Sequence, residues 1–225
     1  RRPLDTKVEK NLTRGSTCAC QLRSGRAGDA TANRRATSMK AYLPRTAAFT
    51  WSPVNMEAGS PMIATGTVAG ALDESFSNDS VLELWQLPEL SVDEADAGSP
   101  RVAASVAASS RFNRIGWGFL HPEKPRGLLA AGLENGEVGV WDVDQLLNPA
   151  TAAQAQVLRD TMHKGSVRGL SFNRPQPNLI ATGSANAEIY VWDLKAPSKP
   201  YTPGARSQHL DEISTLGWNA QVPYV

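Results

Sequence analysis

The sequence predicts an all-β fold built from repeated small sheets, and three observations predict it. Short apolar stretches recur in a fixed order, each set closing on an aromatic residue. The chain carries 18 Gly and 15 Pro in 225 residues, which favours many turns and short strands over long helices. Ile189 and Val191 alternate with Tyr190 and Trp192, as in strands covered on both faces.

Four segments open the repeats: Ala48-Phe49-Thr50-Trp51-Ser52-Pro53, Arg114-Ile115-Gly116-Trp117, Gly169-Leu170-Ser171-Phe172-Asn173 and Ser214-Thr215-Leu216-Gly217-Trp218-Asn219. Three are followed by a strand of small residues: Ile63-Ala64-Thr65-Gly66-Thr67, Leu129-Ala130-Ala131-Gly132 and Ile180-Ala181-Thr182-Gly183-Ser184. Each of these leads to a strand ending in Trp85, Trp141 or Trp192. The markers Trp51, Trp117, Phe172 and Trp218 are 66, 55 and 46 residues apart. That spacing approaches the roughly 40 to 50 residues of a propeller blade once loop insertions are allowed. The expected architecture is an incomplete β-propeller, about three blades and the start of a fourth, over residues 39–225.

Residues 1–38 stand apart. They hold nine Arg or Lys against three Asp or Glu, whereas residues 39–225 hold fourteen against nineteen. This front segment reads as a disordered basic tail or translated upstream sequence ahead of a start at Met39; the other reading is an organelle transit peptide. The remainder is mildly acidic and shows no Arg/Lys stripe to track a phosphate backbone, which argues against nucleic acid. Both cysteines, Cys18 and Cys20, fall in the front segment, so the repeats cannot be stapled by disulfides and a reducing compartment fits them. No apolar run is long enough for a spanning helix, and the sequons at Asn11 and Asn78 have no secretory signal to bring them to glycosylation.

The third repeat, from His163-Lys164-Gly165-Ser166-Val167 to Trp192-Asp193, resembles the WD repeat. The resemblance implies four-stranded blades around a channel, and an internal network in which His163, Thr182, Asn186 and Trp192 take part. Asn186 stands where the family has Asp, so it supplies no fixed charge to orient the imidazole and the network is expected to be weakened. Asn135 and Trp141 match in the second repeat, but Ala131 replaces the hydroxyl. Thr65, Asp79 and Trp85 match in the first. His209 stands four residues before Ile213, as His163 stands four before Val167, and marks the opening of a fourth blade. These His and Trp residues are expected to serve packing.

Catalytic, cofactor-binding and metal-ligating residues are not expected. Asp93, Glu94 and Asp96 lie between repeats with no His or Cys near, and read as a solvated loop. Phosphate-loop, metal-protease and nucleophile-elbow patterns are missing from the sequence, which argues against an enzyme.

The insertions narrow the family. A long connection, residues 68–79, separates strand from Trp in the first repeat. With Met39-Lys40, Trp51-Ser52-Pro53, Gly132-Leu133-Glu134-Asn135-Gly136 and the segment from Tyr201 to Ser214, the chain resembles the N-terminal propeller of the larger outer-cage subunit of the COPII vesicle coat. The resemblance implies a scaffold at cage vertices, with three kinds of partner: the smaller propeller subunit of the outer coat, inner-coat subunits and neighbouring copies. It places the protein in the cytoplasm at endoplasmic reticulum exit sites, on the membrane only through the coat. Leu72 and Phe76, apolar in the inserted connection, are candidate partner contacts, with folding back onto their own blade as the other reading. The competing function is another WD adaptor, of a ubiquitin-ligase or chromatin complex, that grips peptides on the propeller face. Ending inside the fourth repeat, the chain is expected to be a fragment with one blade face uncovered and poor solubility on its own.

Overall fold

Apolar stretches bounded by Gly, Pro, Asn and Asp fold back on one another as antiparallel strands wherever a tight turn can join them. The computed structural model describes residues 43, 45–53, 60–68, 79–88, 99–203 and 211–221. The first sheet pairs β1 (Ala47–Trp51), β2 (Met62–Thr67), β3 (Val81–Gln86) and β4 (Arg101–Ala107) in chain order. The second repeats this with β5 (Phe112–Gly118), β6 (Leu128–Leu133), β7 (Val138–Asp142) and β8 (Gln156–Asp160). The third holds β9 (Val167–Phe172), β10 (Leu179–Ser184) and β11 (Ile189–Asp193), with Val191 and Tyr201 exchanging backbone hydrogen bonds of 2.8 and 3.0 Å on its outer side. A short helix α1 (Val143–Leu147) interrupts the second sheet between β7 and β8.

The middle blade explains the continuous apolar runs. Alternate residues of a strand point to opposite faces, and both faces of β6 are covered. Leu129, Ala131 and Leu133 join one core with Met62, Leu82 and Leu84 of the first blade, while Leu128 and Ala130 join another with Val167, Leu170 and Ile180 of the third. A strand in that setting has no solvent face on which to place polar residues.

Contact between blades is built on missing side chains. A Cβ at Gly66 would meet Phe112 Cγ at 2.4 Å and Ile115 Cδ1 at 2.7 Å. At Gly132 it would meet Val167 Cγ1 at 2.5 Å, and at Gly183 it would meet Ile213 Cγ2 at 2.7 Å. Gly66, Gly132 and Gly183 hold the same place in their second strands, and Phe112, Val167 and Ile213 the same place in the repeat that follows. Each blade thus opens a socket that the next blade fills.

Residues 211–221 differ from expectation. They form no strand; instead Ile213 N–H donates to Ser184 O at 3.1 Å, Trp218 Nε1 donates to Ser171 O at 3.0 Å, and Leu216 lies against the Cα positions of Gly169 and Gly183. The apolar docking of a fourth repeat is present without its sheet, because no described residue supplies the strand its backbone would pair with.

The β6–β7 turn needs glycine. Gly136 has φ +87°, and a Cβ there would fall 2.4 Å from the His163 backbone oxygen. We expect Gly136→Ala to lose about 2 kcal/mol or more in urea unfolding, since strain and a backbone clash act together. Gly132→Ala should lose about 1–3 kcal/mol through overpacking, and adding Val167→Ala should restore part of that loss, a coupling that a double-mutant cycle reads directly.

Candidate functional site

The side chains singled out in the third repeat fall at the junction of its loop, its second strand and its third strand. His163 is 3% exposed, and its Nε2 lies 2.8 Å from Thr182 Oγ1. Trp192 Nε1 donates to that same hydroxyl at 2.9 Å. Tyr190 sets its ring edge-on to the imidazole, centroids 4.7 Å apart at 68°. One hydroxyl therefore joins two elements, accepting from the indole while its own proton faces the imidazole.

Asn186 is not the residue that faces His163. Its backbone N–H donates to Ser184 Oγ at 3.3 Å, and its side chain fills the space beside the Cα of Gly165. The carboxylate near the imidazole is Glu188, whose Oε2 lies 3.6 Å from Nδ1. Asn186 thus supplies no charge to the imidazole; a carboxylate stands nearby because Glu188, two residues further along the turn, turns back toward the loop. A carboxylate beside Nδ1 favours the tautomer with the proton on Nδ1, leaving Nε2 to accept from Thr182. At 3.6 Å that N–H makes no hydrogen bond, and Nδ1 remains unpartnered.

The first repeat keeps half of this arrangement: Trp85 Nε1 donates to Thr65 Oγ1 at 2.9 Å. Arg45 lies 5.4 Å from the centroid of the Trp85 ring, and its guanidinium also pairs with Glu83 at 2.8 and 3.1 Å. In the second repeat Ala131 offers no hydroxyl, and Trp141 takes another course. Its ring lies over Gly139, where a Cβ would come within 2.3 Å of it. Asp79 is exposed, and His209, Leu72, Phe76, Asp93, Glu94 and Asp96 lie outside the described residues. Among the described residues, no three His, Cys, Asp or Glu side chains converge as a metal site would require.

The aspartates that follow two of the tryptophans fasten the ends of the third strands. Asp142 Oδ1 caps α1 by accepting from the Asp144 and Gln145 N–H groups at 3.0 and 3.2 Å, and its other oxygen pairs with Lys124. Asp193 accepts from Asn178 Nδ2 at 2.8 Å and from Lys195 N–H at 3.0 Å. Those bonds, the one from Asn178 first, hold its carboxyl below the ordinary aspartate value.

No family model matches the chain. Protein transport protein SEC31 of Mycosarcoma maydis is 57% identical to it over 188 residues, 83% of this chain and 13% of that protein. Its namesake in Aspergillus terreus is 43% identical over 183 residues, 81% of this chain and 14% of that protein. The chain also superposes on a solved structure described as "COPII on membranes, outer coat vertex", with TM-score 0.58 and 33% identity over 78% of this chain and 42% of that one. The chain is homologous to Sec31. Its three open antiparallel sheets, read with that likeness, form an incomplete β-propeller. It spans about 13% of the length of the first of these Sec31 relatives.

In this Sec31 homologue the residues missed by sequence reasoning are two glutamates. Glu188 Oε2 accepts from Lys164 N–H at 2.8 Å and Ser184 Oγ at 3.2 Å. Glu137, 3% exposed, accepts from Ser109 Oγ at 2.6 Å and pairs with Arg159 Nε at 3.2 Å. Each acid clasps the lead-in to the first strand of its own blade. The signal was present in the sequence as an acid two residues after Asn in both turns, Asn135-Gly136-Glu137 and Asn186-Ala187-Glu188.

Thr182→Val should cost about 2 kcal/mol or more in urea unfolding, because it strands the Trp192 and His163 nitrogens together. Thr65→Val, which strands only Trp85, should cost less. Burial is the larger cause acting on His163 and holds its pKa below 6.5, opposed by Glu188 and more weakly by Asp160. On acidification the unfolded chain takes up this proton first. The contribution of His163 is therefore complete above about pH 6.5 and falls as pH drops from there through the lowered folded value. A His163→Gln variant should lose that part of the slope of stability against pH.

Proposed function

We propose that this chain is part of a scaffold subunit of the COPII outer coat that forms cage vertices in vesicle budding from the endoplasmic reticulum. The observation that carries the reading is the 33% identity and common fold shared with a chain of the outer coat vertex on membranes. The 57% identity to a fungal Sec31 over 188 residues supports it independently. On this reading the protein works on the cytosolic face of exit sites and meets the membrane only through the coat. Its partners are the smaller propeller subunit of the outer coat, inner-coat subunits and neighbouring copies of itself. Its role is structural and non-enzymatic. Neither named relative nor the coat structure favours the adaptor of a ligase or chromatin complex.

Affinity at such a vertex comes from many modest contacts multiplied over a lattice, so each interface can be weak and reversible. The propeller occupies residues 39–225 on this reading, with the basic segment 1–38 outside it. Leu72 and Phe76, in the long connection of the first repeat, are proposed as a partner contact.

The direct experiment exchanges the matched 188 residues of the Mycosarcoma maydis Sec31 for this chain's and follows growth and coat assembly on membranes. Sustained growth with cages of normal form is expected; loss of coat recruitment with the exchanged protein folded and abundant contradicts the proposal. In the same exchanged protein, replacing Leu72 and Phe76 with Ser should reduce assembly while leaving the melting transition in place. Unchanged assembly would remove that contact from the account.

A further inference from the structure

An exposed hydroxyl followed by proline lies on the outer side of the third sheet. Past β11 the chain turns over residues 194–198, where Lys195 N–H donates to Asp193 Oδ1 at 3.0 Å and Ala196 N–H to Asp193 O at 2.9 Å. It then comes back antiparallel to β11, and Tyr201 exchanges both of its backbone hydrogen bonds with Val191. In an antiparallel pair the neighbour of such a doubly bonded residue turns its N–H and C=O outward. The backbone of Thr202 therefore faces away from β11. Pro203 disfavours a helical conformation at Thr202 and offers no N–H of its own. Thr202 is exposed, and no described residue bonds its hydroxyl.

Hydroxyl residues precede proline at Ser52, Ser60, Ser99 and Thr202, and only Thr202 combines access with suitable charge. Ser52 Oγ accepts from Met62 N–H at 3.1 Å. Ser60 is half-buried, with Pro61 O accepting from Leu87 N–H at 3.0 Å. Ser99 is exposed but follows Glu89, Asp93, Glu94 and Asp96 in the sequence, and like charge opposes a phosphate. Around Thr202 the balance is reversed. The sequence has no Asp or Glu between Asp193 and Asp211, and Lys195 and Lys199 are exposed. Asp193 itself is already bonded by Asn178 and Lys195 N–H.

We propose that Thr202 is a phosphorylation site for a proline-directed kinase, and that the phosphate pins the Tyr201–Val191 bridge through Lys195 and Lys199. In the transfer the Thr202 hydroxyl oxygen bonds to the γ-phosphorus of ATP as the bond from that phosphorus to the β-phosphate oxygen breaks. ADP leaves with the electron pair, and the hydroxyl proton passes to a base of the kinase. The product carries about two negative charges and three acceptor oxygens. Ammonium groups on the same short segment bond such oxygens more strongly than neutral donors do.

The protein expressed from its complete reading frame, incubated with a purified proline-directed kinase and magnesium ATP and then digested with trypsin, tests this. Phosphate should appear in the peptide of residues 196–206, and fragmentation should place it on Thr202 rather than on Ser198 or Tyr201. Incorporation should be about 10-fold or more faster than at Ser52 and Ser60, which local opening must first release. Hydrogen exchange at the Tyr201 amide should then slow by about 10-fold, the effect of roughly one charge-assisted bond. A Thr202→Ala protein treated alike should show no slowing. Replacing Lys195 and Lys199 together with Gln should remove the slowing while Thr202 is still phosphorylated. The proposal is overturned by no phosphate on Thr202, by incorporation no faster than at Ser52 and Ser60, by Tyr201 exchange that is unchanged or faster, or by slowing that survives loss of both lysines.

Discussion

The structure depends on one contact, the entry of an apolar side chain from the start of one repeat into the space above a glycine in the second strand of the blade before it. A sheet of three or four short strands has two faces and too little interior to bury either by itself. Removing one Cβ lets the next sheet approach closely enough that Phe112, Val167 or Ile213 closes the gap at van der Waals distance. Apolar burial is the dominant favourable term, and here both core clusters bridge adjacent blades. The two cores confirm this arrangement, each drawing its members from two adjacent sheets.

Polar chemistry in the blades is subordinate to that packing. Thr182 joins Trp192 to His163, and Glu188 holds the loop from which His163 comes. These bonds fix where a loop meets a sheet edge, and a buried polar group left without a partner costs more than its bond returns. The second blade shows how interchangeable the means are. Without a hydroxyl at Ala131 or a histidine, it keeps Trp141 by seating the ring on Gly139, and it keeps its loop through Glu137 and Ser109. A structural role tolerates that substitution because only the position of the chain has to be preserved.

Much of this was legible in the sequence. Trp85, Trp141 and Trp192 mark the third strands because there each buried ring meets a hydroxyl or a glycine on its own sheet. The small-residue strands β2, β6 and β10 were readable because glycine at one fixed position is what blade contact demands. The outer strands β4 and β8 were not. Their residues are largely exposed, so no apolar pattern announced Arg101–Ala107 or Gln156–Asp160. Helix α1 was equally silent, being five residues fixed by the Asp142 cap rather than by periodicity. Glu188 was silent for a related reason. Alignment predicts which residue holds a position in the turn, whereas the reach of a glutamate from two residues away depends on a loop path that spacing does not encode.

The central claim is that the blades cohere through each other and have no separate stability. Native-state hydrogen exchange measured against urea tests it most directly, comparing the amides of Leu129–Ala131 in β6 with those of Ile180–Thr182 in β10. Because the two strands lie in different sheets that share one core, the account predicts that their opening free energies converge on a single urea-dependent unfolding event. Two distinct opening free energies with separate urea dependences would show each blade to be its own cooperative unit and would contradict it.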